Sequence, residues 1–578
     1  MSKLSIDQKN IMNLFQDKKS DFLIPDYQRP YAWTETECLT LWDDLFEFAI
    51  PENNADKFNK DDEYYLGPIV TFKNDDGKLE IIDGQQRLTT LMLLLRAFHV
   101  KFLFAQDENT VKTRESIEKC IWKTDEFGKP NKDELKIDSE VATDGDKEEF
   151  LQILKTGTVE KSQKSKYAIN FRFFQEKIEK FVAQFPMYSA VFPIRILNNC
   201  ILLPIEADNQ NTALRIFSTL NDRGMPLSDA DIFKAQFYKF YSNQGNKEYF
   251  IKKWKELEDI CSKIFRSSTG SPMDELFTRY MYYERAKMGI KSSTTEALRK
   301  FYEKNSYELL KNNTILENLE CLAMFWEDIY TQNEARFSQE VLRKLYILNY
   351  APNGMWTYFL SVYFMQNKDE NGILEKSSLL AFLNKSIAFI WSYAIVNPGV
   401  NALRTPIYAE MINIVNNKPV TFDEFKFDEN VIRKAIDNFS FLNQRPITKS
   451  MLTLWAFSND EQELLKIDDS YEIEHIFAKN RQFPGSGLIN PNNLEVLGNK
   501  SLLEKEINIR ASDYKFVDKK KFYIGYTNSR NQYKKGTKIK ELQSLAQLDD
   551  FTEHDIEVRN KAMIDSFIEL LKTNSLLK

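Results

Sequence analysis

One stretch commits the chain more than any other: YYLGPIVTFKNDDGKLEIIDGQQRLTTLMLLLRAFHVKFLF, starting at Tyr64. YYLGPIVTF and KLEIID read as strands, and NDDG between them is a strong hairpin signal. Gly84 then turns the chain into a long apolar helix. Hairpin, tight turn and buried helix in direct succession require a sheet with a helix packed on it. The N-terminal region is therefore expected to be α+β.

The neighbouring segments extend this reading. DFLIPDYQRPYAW (21–33) is extended and turn-rich, because Pro25 and Pro30 exclude a helix. TETECLTLWDDLFEFAI then reads as a helix with Thr34 as N-cap, Glu37 closing a capping box, and Leu41, Leu45 and Phe48 on one face. Residues 106–165 are highly charged and look like an irregular, peripheral insertion. ILLPIEA (201–207) reads as a buried strand, and LNDRGMPLSDADIF (220–233) as a loop feeding a helix capped by Ser228 and Asp231. From about 235 to 450 the pattern is almost wholly helical, with no motif that carries chemistry. The last unit closes with FTEHDIEVRNKAMIDSFIELLKT, an amphipathic helix with a stripe at Ile556, Met563, Ile564 and Phe567.

Composition narrows the class. In 578 residues there are only 18 Gly and 17 Pro, and no long Ser/Gly/Pro run, so closely abutting domains are expected. The expected division is 1–240, 241–449 and 450–578. The opening MSKLSIDQKN has no apolar core, and the greasy stretch from Leu91 is broken by Arg96, His99 and Lys101. No membrane association is expected. Five scattered cysteines without a CxxC pair exclude a cysteine-type zinc site and fit a reducing cytoplasm. The net charge of −7 argues against a protein that coats nucleic acid nonspecifically. Residues 500–540 differ, with twelve Lys/Arg against four Asp/Glu, a local +8 that suits phosphate or a plain solvated face.

Two constellations carry chemistry. In IIDGQQR, Asp83, Gly84, Gln85, Gln86 and Arg87 stand at a strand-to-helix turn. Amides at a helix start favour anions, and a guanidinium can grip phosphate with two hydrogen bonds. YQRP adds Gln28 and Arg29 on a proline-fixed loop. Near the C-terminus, YEIEHIFAKN places Glu474 before His475, one of only three histidines. Downstream, Asn499 and Asn508 are nine residues apart. A neutral imidazole can activate water, and oxygen donors such as Glu474 and Asn508 suit Mg²⁺ or Mn²⁺ better than zinc. Lys519, Lys520 and Lys521 are candidate phosphate contacts. His99 and His554 read as structural.

These motifs resemble a known family. IPDYQRPYAW, IIDGQQRLTT and LNDRGMPLSDADIFK together are similar to the N-terminal domain of GmrSD-type proteins (domain-of-unknown-function family 262), over roughly residues 10–240. The resemblance implies a ParB/sulfiredoxin-like fold that binds and hydrolyses a nucleoside triphosphate and senses DNA. It places Asp83, Gly84, Gln85, Gln86, Arg87, Gln28 and Arg29 at the nucleotide. Asn221, Asp222 and Arg223 match its third motif, where a capped loop is the competing reading. EIEHIFAKN, LGNKSLLEKEIN and the I-E-V-R of the closing helix resemble the C-terminal domain of the same group (family 1524), over roughly 450–575. That implies a ββα-metal (HNH) nuclease, with His475 as general base, Glu474 and Asn508 as metal ligands, and Asn499 as the bracing or ligand Asn. Two positions depart from the family pattern. Ala478 stands near where Pro is usual, and Gly498-Asn499-Lys500 replaces Gly-Asn-Leu.

The expectation is thus a mostly helical α+β chain: a ParB-like domain, a helical middle and an HNH domain. The implied function is a nucleotide-regulated, modification-dependent DNA endonuclease of anti-phage defence, acting on modified phage DNA, with a homodimer compatible with it. A nucleotide-switched sensor needing a partner, or an RNA-targeting nuclease, are the alternatives.

Overall fold

In the computed structural model, which describes residues 5–141, 144–210, 212–214, 216, 228–265, 271–399, 401–481 and 487–578, the hairpin read at Tyr64 forms the middle of a mixed sheet. The chain separates into two compact units, Met1–Lys255 and Glu256–Lys578. The second holds most of the helical stretch, from Glu256 on, together with the C-terminal stretch.

In the first unit the strands are β1 (Ser5–Ile6), β2 (Lys9–Asn10), β3 (Phe22–Ile24), β4 (Tyr64–Lys73), β5 (Leu79–Asp83), β6 (Trp122–Thr124), β7 (Pro130–Leu135), β8 (Ile137–Ser139) and β9 (Cys200–Ala207). The main sheet runs β1-β9-β4-β5-β3-β8, with β2 also on β9, while β6 and β7 form a separate hairpin. The β4–β5 pair is antiparallel, as the NDDG turn requires, and β9 lies parallel to β4.

Helices α1 (Ile11–Gln16), α2 (Glu35–Ala49), α3 (Gln85–Lys101), α4 (Glu108–Ile121), α5 (Lys147–Thr156), α6 (Lys166–Gln184) and α7 (Val191–Asn199) accompany this sheet. The capping box at Thr34 and Glu37 forms on α2. Helix α3 is apolar on nearly every side and is correspondingly buried, from Leu88 through Phe98. Arg96 and His99, two of its four basic residues, are buried with it. Arg96 donates to His99 Nδ1 at 2.6 Å, and His99 Nε2 meets Glu118 Oε1 at 2.9 Å. His99 is a fully hydrogen-bonded core residue, as its place on an apolar helix suggested.

The expectation of an irregular insertion at 106–165 is corrected. This segment supplies α4, the β6–β7 hairpin, strand β8 of the main sheet and α5, and it buries Ile117, Cys120, Trp122, Phe150 and Ile153. Its many charges lie on the outer faces of short elements, so overall polarity hid a sparse inward stripe.

The second unit is helical as far as the helix Pro446–Ala456, then forms the ribbon β10 (Tyr471–His475) and β11 (Lys500–Glu504), followed by the helices Lys505–Ala511 and Phe516–Ile524. The helix Lys376–Val396 is long and apolar enough to cross a membrane, but most of its apolar window is buried inside the protein. Ile556, Met563, Ile564 and Phe567 of the closing helix Glu553–Thr573 are buried, as the stripe predicts.

Candidate active site

The ribbon's pairing builds the C-terminal site. Antiparallel register sets His475 opposite Lys500 and Glu474 opposite Ser501. Alternation along β10 then puts Glu472 and Glu474 on one face and His475 on the other. The following helices cover the acidic face. Asn508 donates from Nδ2 to Glu472 Oε2 at 2.8 Å. Lys519 reaches Glu474 Oε1 at 2.7 Å and the His475 carbonyl at 2.8 Å, and the Tyr523 hydroxyl donates to the same Glu474 oxygen at 2.8 Å. Because β10 ends at His475, both faces open into one cavity of about 270 Å³, lined by Glu474, His475, Asn480, Asn508, Asp513 and Lys519, among others.

The Asn499 side chain braces this end of the strand. It accepts from the Phe477 amide at 2.8 Å and donates to the Phe477 and Leu494 carbonyls, while its own carbonyl receives the Ile476 amide. It is fully buried. All its side-chain capacity goes to the loop after His475. The LGN segment is itself held by the closing helix: Arg559 donates to the Leu497 and Gly498 carbonyls, and Asn560 accepts from the Gly498 amide. The I-E-V-R motif thus has a local mechanical purpose.

The electrostatics follow from burial. Desolvation pushes the Glu474 carboxyl above the ordinary value, while Lys519, Tyr523 and the His475 amide pull the other way. Burial, assisted by Lys500, brings His475 down to about 4, with Glu495 opposing. The imidazole is therefore neutral near pH 7. Glu495 Oε2 stands 3.5 Å from His475 Nε2 and also accepts from the Lys500 ammonium. Burial works against the Glu495 charge, but Lys500 holds its pKa below the usual value.

The three lysines of the basic run separate. Lys519 is buried on Glu474, Lys520 donates to the Leu548 carbonyl, and Lys521 lies over the Phe522 ring. His554 is exposed in the first turn of the closing helix. Sequence reasoning missed Glu472, Glu495 and Tyr523. Glu472 could have been found from its alternation with Glu474; Glu495 and Tyr523 carried no local signal.

The Asp83 turn lies in the first unit. Gly84 takes a left-handed conformation (φ 93°), and α3 begins there without a side-chain cap. Its glutamines are engaged within the protein. Gln85 donates to Gln28 Oε1, Gln28 donates to the Ile81 and Ile82 carbonyls, and Gln86 accepts from the Ala32 amide and donates to the Pro30 carbonyl. Together they clamp the YQRPYA loop onto the turn. Arg87 donates to the Pro68 carbonyl at 3.0 Å. Burial raises the Asp83 pKa, against the Gly84 amide and the Arg87 and Arg29 charges. The Arg29 Nε is buried without a hydrogen-bond partner among the described residues. Asn221, Asp222 and Arg223 lie outside the described residues.

Among the described residues, no group of three His, Cys, Asp or Glu side chains is placed to hold a metal ion. The cavity is lined by the carboxylate residues Glu474 and Asp513 and the amide residues Asn480 and Asn508, of which Glu474 and Asn508 are the expected ligands. That set fits a hard cation such as Mg²⁺, which keeps several waters and takes few protein ligands.

Comparison with known proteins gives the class. The family model for the GmrSD restriction endonuclease N-terminal domain matches residues 11–238, and that for the GmrSD C-terminal domain matches residues 426–566. The two matches define a restriction-endonuclease architecture with both domains in one chain. The chain belongs to the GmrSD restriction endonuclease family. An uncharacterized protein of Methanocaldococcus jannaschii is 25% identical over 257 residues, covering 41% of this chain and 43% of that protein. The likeness therefore spans less than half the length of that curated relative.

Proposed function

We propose that this chain is a nucleotide-regulated, metal-assisted DNA endonuclease that cuts modified phage DNA in the bacterial cytoplasm. The observation that carries this reading is the cavity at the end of β10. It brings Glu474, His475 and Asn508 together on a strand–strand–helix unit, with Asn499 bracing the loop. This arrangement supports an HNH-type assignment. His475 takes the proton of a water whose oxygen attacks phosphorus, and the P–O bond to the leaving oxygen breaks. A neutral imidazole is the right protonation state for that step. Glu474 and Asn508 would hold a divalent cation, whose charge would offset the charge growing on the phosphate. Lys519 and Tyr523 both hold Glu474 Oε1 and so fix the orientation of the carboxylate.

In the first unit, the uncapped start of α3, the Arg87 guanidinium and the unpartnered Arg29 Nε fit the phosphates of a nucleoside triphosphate. The ParB-like reading of this unit rests on the resemblance of its three motifs, of which this turn is one. Gln28, Gln85 and Gln86 hold the loop that carries Arg29.

The test incubates the protein with Mg²⁺ or Mn²⁺ and phage DNAs bearing different modifications, with and without each nucleoside triphosphate, beside His475→Ala. Cleavage that falls by about 10²–10⁴-fold in the variant is the expected result. Nucleotide hydrolysis without cleavage of any substrate would replace this reading with a sensor that needs a partner.

A further inference from the structure

The nuclease reading leaves one buried arrangement unused. Lys500, at the position where the family usually has Leu, is wholly buried. An ammonium so placed must be paired, and three acceptors hold it: the Phe441 carbonyl, Asn443 Oδ1 at 2.8 Å and Glu495 Oε2. Register places Lys500 directly across from His475. The same Glu495 oxygen stands 3.5 Å from His475 Nε2, which is buried and has no hydrogen-bond partner among the described residues. An unsatisfied imidazole nitrogen and an anchored carboxylate therefore face each other, about 0.3 Å beyond the upper end of the usual N–H···O range.

We propose that Glu495 is a positioning residue for His475, and that the buried Lys500 holds Glu495 in place to do so. The proposal rests on the reading of His475 as general base. A carboxylate behind an imidazole accepts its N–H, fixes the tautomer and stabilises the ring once it has taken a proton. Here the hydrogen would sit on Nε2. Nδ1, which makes no hydrogen bond with the described residues, keeps its lone pair for water. Lys500 is then the second half of a device in which Lys and Glu are needed together. Lys479, 3.6 Å from the other Glu495 oxygen and exposed, reinforces the charge but not the geometry.

The experiment uses the full chain labelled with ¹⁵N-histidine, whose three histidines are few enough to assign with single substitutions. Long-range ¹H–¹⁵N spectra report each ring's tautomer without any cleavage. The expected wild-type His475 is the Nε2–H form, and Glu495→Ala and Lys500→Leu shift it towards a mixture. In the cleavage assay, Glu495→Ala is expected to lower kcat about 10–100-fold with KM for DNA little changed, and Glu495→Asp to recover part of that loss. Circular dichroism checks the fold of each variant, and Glu495→Gln, which keeps the side chain's shape, substitutes for Glu495→Ala should that variant unfold. A mixed tautomer in the wild type, or an unchanged tautomer with full kcat in the folded Glu495 variant, overturns the proposal. If the wild type cuts no DNA, the nuclease reading fails separately, and the spectra still decide the Glu495–His475 pairing.

Discussion

Lys519 shows how a single residue can be judged by its partners. Its ammonium is almost completely buried and is shared between Glu474 Oε1 and the His475 carbonyl. Removing one partner of a buried ion pair leaves the other charge uncompensated, at a cost of about 3–5 kcal/mol. Lys519→Met is therefore expected to lower the stability of the second unit by about that amount in urea titrations. Tyr523→Phe, which removes one hydrogen bond to the same carboxylate, is expected to cost about 1–3 kcal/mol. Equal stability of Lys519→Met and wild type would show that the buried Lys519–Glu474 pair contributes nothing to holding the second unit together. A second residue-scale test concerns His99. Burial first, and the Arg96 charge with it, lower its pKa from 6.5 to about 4, despite the bond to Glu118. Between those values the unfolded chain binds the extra proton, so the contribution is complete above about pH 6.5 and is lost as pH falls towards 4. The calorimetric transition of the wild type should move down across this window, and less so in His99→Gln, which cannot titrate. Parallel pH slopes in the two proteins would remove His99 from the account.

At the scale of elements, the closing helix is the part that holds the site from behind. A Cβ added at Gly498 would lie 2.1 Å from the Ile556 carbonyl oxygen and 2.7 Å from Asn560 Cβ. Neither the helix backbone nor the LGN segment can yield cheaply, since Arg559 also binds Glu541 through two nitrogens at 2.6 and 2.8 Å. Gly498→Ala is expected to destabilise by about 3 kcal/mol, the upper range for overpacking, and to disturb the Asn499 brace. Chemical denaturation measures the first effect; a change under about 0.5 kcal/mol, the size of an ordinary surface substitution, would refute this packing argument. The sequence made some of this visible. The hairpin at Tyr64, the caps at Thr34 and Ser228, and the apolar stripe of the closing helix are local patterns, and local geometry obeys them. The pairing of Lys500 with Glu495 and of Lys519 with Glu474 was not legible. Each joins residues whose meeting depends on strand register or on helices folding back, and no periodicity announces it. The segment 106–165 failed for a related reason. Its strands and helices are short, so few inward residues mark each one among many charges.

For the whole molecule, the two constellations sit in different compact units, so any control of one by the other must appear as a coupling free energy. The Arg87 guanidinium is the natural place to interrupt it. It donates to the Pro68 carbonyl, and a Cβ added at Gly67 would stand 3.0 Å from its Nη2, so it is held in one position beside the α3 start. Arg87→Ala removes a candidate phosphate contact without touching the cavity at His475. The expected outcome is loss of nucleotide binding together with loss of nucleotide-dependent cutting, while any cutting seen without nucleotide persists. His475→Ala should behave in the opposite way, hydrolysing nucleotide without cutting. A tenfold nucleotide effect on DNA affinity would correspond to about 1.4 kcal/mol of coupling, and reciprocity then requires DNA to tighten nucleotide binding by the same factor. Calorimetric titration of nucleotide with and without DNA measures that factor directly. Identical nucleotide affinities in the two titrations, with equal cutting in the presence and absence of every nucleotide, would mean that the two units share a chain but not a mechanism.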